Sequence, residues 1–492
     1  MPDRRPRPLA VVVLAAGLGK RLRSRTPKVL HGVCGRPILW HVLRAAAAVR
    51  PVRLVIVVHH GAAEVENGVG SWNLLPDPLF VDQGEPLGTG HAVTVAEDAI
   101  GQASDVLVLP GDEPLVTAPQ LRALLAIHRR RDVAAVVQAT PAADPRGFAR
   151  VIRDARGELL HLAEGSDATA EELAVRDVAT AVYAFRRDDL FRALPLVGRE
   201  NRQGEYYLPD VIKILLDKGE RVAVDVVDNG GSVGANSRSE IAASAAVMRR
   251  RINAAHMESG VTLIDPDRTY IDVDVRIGPE TEVLPLTLLE GETRIGSGCT
   301  LGPSTRIVDS SIGDGSSVQF AVVRGSRIGK GVSVGPYVSL RPGTVIEDGG
   351  KAGTFVEIKA SRVGRGSKVP HLSYVGDTVI GDDTNIGAGT ITVNYDGWEK
   401  FKTVIGDDVR IGSDTMLVAP VSVGDRAMTG AGSTITRDIP PGALGIERAE
   451  QRNVEGFRDR KEARRAADNK EGKGDVRRKR SRSSGKSNPS KR

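Results

Sequence analysis

From about Val261 to Gly445 an aliphatic residue returns at every sixth position. Neither an α-helix of 3.6 residues per turn nor a strand alternating by two accommodates that period. Ile295, Leu301 and Ile307 show it, as do Ile328, Val334 and Leu340, and then Ile405, Ile411, Leu417 and Val423. Most are followed by Gly and, two or three residues later, by a small or polar residue, as in Ile405-Gly406-Asp407-Asp408-Val409-Arg410. A solenoid with flat sides satisfies this pattern if each side turns one aliphatic inward and Gly makes the corner. Three sides of six residues predict a coil of about 18 residues and roughly ten coils. The period is interrupted at Asp348-Gly349-Gly350 and from Tyr395 to Lys402.

The residues before the repeat follow a different grammar, apolar strands alternating with helical segments. A chain of 492 residues exceeds the size at which one core keeps growing, so two domains are expected. Between them Ser239 to Met257 is rich in Ala and free of Pro and Gly, which favours helix until Ser259-Gly260 stops it. That helix fits either a rigid arm between the halves or an element packed on the first domain. Aromatic residues are only 4% of the chain, which suits a narrow interior of Val, Ile and Leu. The apolar run Leu9–Ala16 is too short to span a bilayer and precedes no cleavage signal, so neither membrane insertion nor secretion is expected. Cys34 and Cys299 fall one in each half, which excludes a disulfide framework and points to the cytoplasm.

The net charge of +6 is misleading about partners. Residues 458–492 hold 15 Lys/Arg and 5 Asp/Glu, a local excess of +10 that leaves the remainder at −4. With almost no aliphatics the segment cannot bury enough surface to fold. It reads as a disordered, solvated basic tail rather than a nucleic-acid tether.

In the first half, Leu9–Leu14 reads as a buried strand followed by the turn Ala15-Ala16-Gly17-Leu18-Gly19-Lys20-Arg21. Glycines there let backbone N–H groups approach a polyanion. Leu22 stands where a dinucleotide fingerprint needs its third Gly, and Arg21 where a P-loop needs Ser or Thr, so both classes are disfavoured. The strand Val106–Leu109 leads to Asp112 at its carboxyl end, where open α/β sheets bind ligands. A carboxylate there suits Mg²⁺, a hard ion that bridges phosphate oxygens.

These motifs resemble the nucleotidyltransferases that make sugar nucleotides. Leu14-Ala15-Ala16-Gly17 with Gly19 and Arg21, Lys28, Gln83, Gly88-Thr89, Gly111-Asp112, Glu164, the run Gln203–Leu208 and Asn236 match the family pattern in order. The resemblance implies a Rossmann-like α/β fold. It further implies that Leu14, Ala15, Ala16, Gly17, Lys28, Gln83, Gly88, Thr89, Glu164 and Asn236 bind the uridine nucleotide or its sugar product. Asp112 and Asn236 would then hold Mg²⁺. The implied reaction is attack of a sugar 1-phosphate oxygen on the α-phosphorus of UTP, a reaction carried by positioning and charge neutralisation. Ala149, Ala179 and Ala181 stand where the family has Gly, Asn and Gly, and the Gly and Asn contact the acetamido sugar in relatives. The departures imply a weaker hold on that sugar, or preference for another.

In the second half, the neighbourhood of the interruptions carries chemistry. It contains Arg341, Glu357 and Lys359, His371 in Lys368-Val369-Pro370-His371-Leu372-Ser373-Tyr374, and Asn394-Tyr395-Asp396-Gly397. The set offers one titratable base, one carboxylate and two cations suited to a phosphate. Over residues 9–456, in both halves and in order, the chain is similar to the bacterial bifunctional N-acetylglucosamine-1-phosphate uridyltransferase/glucosamine-1-phosphate N-acetyltransferase family. That resemblance implies a left-handed parallel β-helix of hexapeptide repeats, assembled as a homotrimer with ligands between prisms. It places Arg341 and Lys359 on the sugar phosphate and Tyr374 and Asn385 on the sugar. Ala388, Asn394, Tyr395, Ser413, Ala431 and Arg448 would contact acetyl-coenzyme A. His371 would be the general base, oriented or charge-stabilised by Glu357. The domain expectation is uridylyltransferase over 1–238, helical linker over 239–259, acetyltransferase over 260–456 and tail over 457–492. Two other readings remain open. One is an acetyltransferase whose first half is impaired or takes another sugar; the other is a related pyrophosphorylase with a merely structural solenoid.

Overall fold

The computed structural model describes residues 7–142, 145, 148–163, 168–201, 203–228 and 234–469. In the first half a nine-stranded sheet runs in the order Val222–Val226, Ala135–Pro141, Asp177–Arg186, Asp105–Pro110, Leu9–Leu14, Arg53–Val58, Leu79–Asp82, and the hairpin Arg150–Arg153/Leu159–Ala163 extends from it. Only Asp177–Arg186 runs antiparallel to its main-path neighbours. The central strand is buried on both sides, as helix-covered parallel sheets require. Ala10 and Val12 face one core, and Leu9, Val11 and Val13 face the other.

The amino end of the strand Asp105–Pro110 is held by a buried charge cluster. Asp105 is fully buried and accepts bonds from His128 Nε2 at 3.2 Å and Arg129 Nε at 2.9 Å, with Arg7 Nη2 at 2.9 Å. Burial alone would raise its carboxyl. The bonds from His128 and Arg129 and the charges of His128 and Arg7 override that and hold it below the usual carboxylate range. Asp105→Asn should therefore destabilise the fold by about 1.5–3 kcal/mol at pH 7. A depressed pKa contributes stability above the unfolded value of about 3.9 and loses it as pH falls through the folded value. Urea unfolding at pH 7 and pH 3 should thus show the parent–variant gap closing at the lower pH.

From Thr262 onward the chain winds into a three-sided parallel β-helix whose faces contain 11, 10 and 9 strands. Every aliphatic of the six-residue repeats Ile295 to Ile307, Ile328 to Leu340 and Ile405 to Val423 is buried in one continuous core. The polar residue of the hexad is structural as well. Buried Thr and Ser hydroxyls donate to carbonyls at the corners, as Thr384 Oγ1 does to Gly406 O at 2.8 Å and Ser367 Oγ to Gly381 O at 2.6 Å. An Asp in each of several coils accepts a backbone N–H from the coil below, as Asp407 does from Asp382 N at 2.7 Å and Asp425 from Asp407 N at 2.9 Å.

Two expectations are corrected here. Gly406 does not make its corner by a left-handed backbone; Asp408 does, at φ 53°. Gly406 is required because a Cβ there would lie 2.2 Å from Asp425 Oδ1 in the next coil. Nor is Asp348-Gly349-Gly350 an interruption. Ser333 pairs with Lys351 and Val345 with Arg362, so these residues form an ordinary corner between paired strands. The break after Asn394 is real. The step from Asn385 to Arg410 is lengthened by a loop that an antiparallel bridge between Tyr395 and Lys400 closes. Trp398 at the loop's tip is 86% exposed.

The helix Arg238–Glu258, capped by Ser237 and Glu240, packs on both halves. Met248 joins Val33, Ile38, Leu115 and Ala235 in a small core, and Arg251 Nη1 donates to Leu115 O at 2.8 Å. Further along, Asn253 Nδ2 donates to Pro266 O and Thr269 O of the first coil at 2.7 and 3.0 Å. A second tie pairs Arg36 with Asp274, while Val273 N donates to Cys34 O at 3.1 Å. Residues 457–469, expected without structure, are helical and exposed throughout. Their Arg, Lys, Glu and Ala favour helix, and Arg458 pairs with Glu462 one turn on. The rest of the basic tail lies outside the described residues.

Candidate active sites

A cleft of about 690 Å³ opens at the carboxyl ends of Leu9–Leu14 and Asp105–Pro110. Of the residues expected to bind nucleotide, Leu14, Ala16, Gly17, Lys28, Gln83, Gly88 and Thr89 line it together with Asp112. Ala15 does not; it is buried in the core beneath, and its N–H donates to Val57 O. Glu164 lies outside the described residues. Close backbone approach shapes the walls. A Cβ on Gly111 would lie 2.8 Å from Leu14 O, and one on Gly88, which sits at φ 114°, would lie 2.6 Å from Tyr206 O. Gln83 Nε2 donates to Gly88 O at 2.9 Å, and Thr89 Oγ1 accepts from Leu208 N at 3.0 Å.

Lys28 is the electrostatic centre. Its ammonium donates to the Asp112 carboxylate and, at 2.6 Å, to Asn236 Oδ1. Two hard oxygens from distant loops thus converge on one cation, a donor set that fits Mg²⁺. Among the described residues no group of three or more His, Cys, Asp and Glu forms an all-protein cage. Substrate phosphate and water would complete such an ion's shell. Glu113 was not foreseen. It is fully buried beside Asp112 and accepts from Gly234 N at 2.6 Å. Burial pushes its carboxyl up to about 8 against the pull of that bond, with the Asp112 charge adding to the rise.

The three alanine departures do not share one place. Ala149 and Ala179 are buried, with Ala179 N donating to Ala149 O at 2.9 Å, whereas Ala181 lines the cleft with its backbone at φ 59°. A left-handed backbone favours glycine, so the Ala181 methyl carries strain at the cleft wall.

On the β-helix the expected residues fall into two columns, one member per coil. Arg341, Lys359, the Gly376-Asp377 corner and Asn394 follow the strands of one face. His371, Ala388, Ser413, Ala431 and Arg448 follow those of the adjacent face. Backbone bonds tie the second column: Gly389 N donates to His371 O, Asp414 N to Ala388 O and Gly432 N to Ser413 O, while Arg448 Nη1 donates to Ala431 O at 2.9 Å. Asn385 lies on a strand of the same face as His371, and Tyr395 is exposed on the inserted loop. Glu357 does not meet His371. Its carboxylate accepts from Arg341 Nη1 at 3.0 Å, because the two lie on neighbouring coils of one face and His371 lies on another.

Tyr374 and Asn394 close over Gly376. A Cβ there would lie 2.5 Å from Tyr374 Oη and 2.7 Å from Asn394 Nδ2. Both are side-chain ends, so Gly376→Ala should leave the coil intact but displace them. On the roles that the resemblance implies for Tyr374 and Asn394, acetyl transfer should fall about 10²-fold. A free-thiol assay reads the loss, with unchanged uridylyl transfer as evidence of folding.

Residues 11–178 match the family described as MobA-like NTP transferase domain, and residues 402–437 match bacterial transferase hexapeptide (six repeats). Over 450 residues the chain is 45% identical to the protein named bifunctional protein GlmU of Thermoanaerobacter pseudethanolicus, covering 91% of this chain and 97% of that one. It is 46% identical over 464 residues to the protein of the same name from Mycobacterium tuberculosis, covering 93% of each. The protein of that name from Halalkalibacterium halodurans is 44% identical over 448 residues, 91% of this chain and 97% of its own.

Proposed function

The chain belongs to the bifunctional GlmU family, and on that footing we propose how its residues divide two reactions. The protein acetylates glucosamine 1-phosphate with acetyl-coenzyme A and couples N-acetylglucosamine 1-phosphate to UTP, giving UDP-N-acetylglucosamine and pyrophosphate. Residues 1–238 carry uridylyl transfer, 239–259 the linker and 260–456 acetyl transfer.

In the first reaction a phosphate oxygen of the sugar attacks the α-phosphorus of UTP, and the bond to pyrophosphate breaks. The Gly17 turn with Gln83, Gly88 and Thr89 holds the nucleotide, and Glu164 belongs to the same binding set. Lys28 neutralises phosphate charge. Asp112 and Asn236 would hold Mg²⁺, and the ion would supply neutralisation of phosphate charge. Convergence of both side chains on the Lys28 ammonium supports that role.

In the second reaction the amine of glucosamine 1-phosphate attacks the thioester carbon, His371 takes the amine proton, and coenzyme A leaves. A ring nitrogen of imidazole can accept a proton and release it again, which suits that transfer. Arg341 and Lys359 take the sugar phosphate, and Tyr374 and Asn385 the sugar. Ala388, Asn394, Tyr395, Ser413, Ala431 and Arg448 take acetyl-coenzyme A, with Asn394 and Ser413 able to donate to the oxyanion. The observation that carries this reading is the single column linking His371 to Arg448.

A homotrimer is supported by an exposed aromatic ridge. The exposed rings of Tyr337 and Phe355 stack with centroids 5.2 Å apart, half-buried Phe320 lies tilted against Tyr337 at 5.5 Å, and the exposed Leu372 follows on the next coil beside His371. Among the described residues no helix is long and apolar enough to cross a membrane. Both cysteines are free, which supports a cytoplasmic site of action.

The test is the purified protein with glucosamine 1-phosphate, acetyl-coenzyme A, UTP and Mg²⁺, with free thiol and pyrophosphate followed separately. Both should appear, thiol first. Thiol without pyrophosphate would refute the uridylyl assignment, and no thiol would refute the acetyl one.

A further inference from the structure

Within the first column sits a carboxylate to which no role has been given. Asp377 occupies the corner after the strand Tyr374–Gly376, with its backbone at φ 50°. Its Oδ2 accepts from Lys359 Nζ at 3.0 Å and from Asn394 Nδ2 at 2.5 Å, and its Oδ1 lies 3.4 Å from the same ammonium. Lys359 and Asn394 belong to coils on either side of Asp377, so one carboxylate ties the expected phosphate cation to the expected acetyl-transfer amide. Burial would raise the Asp377 carboxyl, but the bonds from Lys359 and Asn394 hold it below its ordinary range. It is therefore an anion at neutral pH, and an anion only accepts hydrogen bonds.

This acceptor-only character has a geometric consequence. An amide side chain can present either its oxygen or its nitrogen to a neutral partner. Facing a carboxylate, Asn394 must turn its nitrogen inward. One amide proton goes to Asp377, and the second is left to point away from it. A donor fixed beforehand is what stabilises a developing oxyanion, because no reorientation is needed during the reaction.

We propose that Asp377 is a positioning residue for acetyl transfer, which locks the Asn394 amide with its free N–H available to the thioester oxygen. The proposal rests on the reading that Asn394 belongs to the acetyl-transfer site. Lys359 serves as the counter-charge that keeps Asp377 anionic, and the Tyr374 hydroxyl lies over Gly376 beside the Asn394 amide.

The test is a mutant cycle on the full-length protein. Asp377→Asn keeps size and shape but lets the Asn394 amide turn either way. Its kcat for acetyl transfer should fall about 10–100-fold. KM for glucosamine 1-phosphate should not rise, because Lys359 loses an anion that competes with phosphate. In an Asn394→Ala background the same substitution should cost nothing further in kcat, since the group it acts through is gone. Additive losses would overturn the proposal, as would an unimpaired kcat or a raised KM alone. If Asn394→Ala by itself leaves acetyl transfer intact, the reading of Asn394 fails instead. Uridylyl transfer, measured on every variant, should stay at the parent level; a fall there with Asp377→Asn would assign Asp377 a folding role and overturn the proposal as well.

Discussion

Replacing His371 by Ala is expected to lower kcat for acetyl transfer by about 10²–10⁴-fold while sparing uridylyl transfer. The imidazole stands exposed at the end of the strand Lys368–His371, and among the described residues no side chain bonds it. Its removal therefore opens no core cavity and orphans no partner, so the loss should be chemical rather than structural. Ser373 and Gly389 bond only the His371 backbone oxygen, and those contacts survive the substitution. Glu357, paired with Arg341, should act on the sugar-phosphate side of the site instead of through the imidazole. Free-thiol release measures the effect. Undiminished release would remove His371 from the reaction, and loss of both activities would indicate misfolding.

The second large effect belongs to the other half. Asp112→Asn changes one oxygen to nitrogen and removes the charge facing Lys28. Uridylyl transfer depends on charge placed in advance around the phosphates, and losing one such group costs about 10²–10³-fold in kcat. Pyrophosphate release titrated with Mg²⁺ should show that fall, together with a requirement for more of the ion. Acetyl transfer should not change. Normal pyrophosphate release at the parent's Mg²⁺ requirement would show that Asp112 holds no ion.

Much of the architecture can be read from one dimension because the solenoid repeats a local rule. Ile405, Ile411, Leu417 and Val423 sit inward where the period puts them. The role of Gly406 could not be read that way, since what forbids a side chain there is Asp425 in the following coil. For the same reason the period suggested a break at Asp348-Gly349-Gly350 where the ladders continue. In the first cleft, the turn around Gly17 and the residues Lys28, Gln83 and Asp112 are recognisable as motifs, and they do come together. Ala15 is the exception, because strand alternation turns it into the core. Glu113 and Asp377 carry no motif of their own. Their meaning arises only when Gly234 arrives from a distant loop, or when winding brings Lys359 and Asn394 to one corner.

The column from His371 to Arg448 acts as a ruler. Four coil rises of about 4.8 Å separate its ends, about 19 Å in all. A compact acyl donor seated at the imidazole would leave the far marks untouched. On the contacts proposed above, a slender, outstretched thioester would lie along the whole scale, and the span of the column would favour a donor of that length.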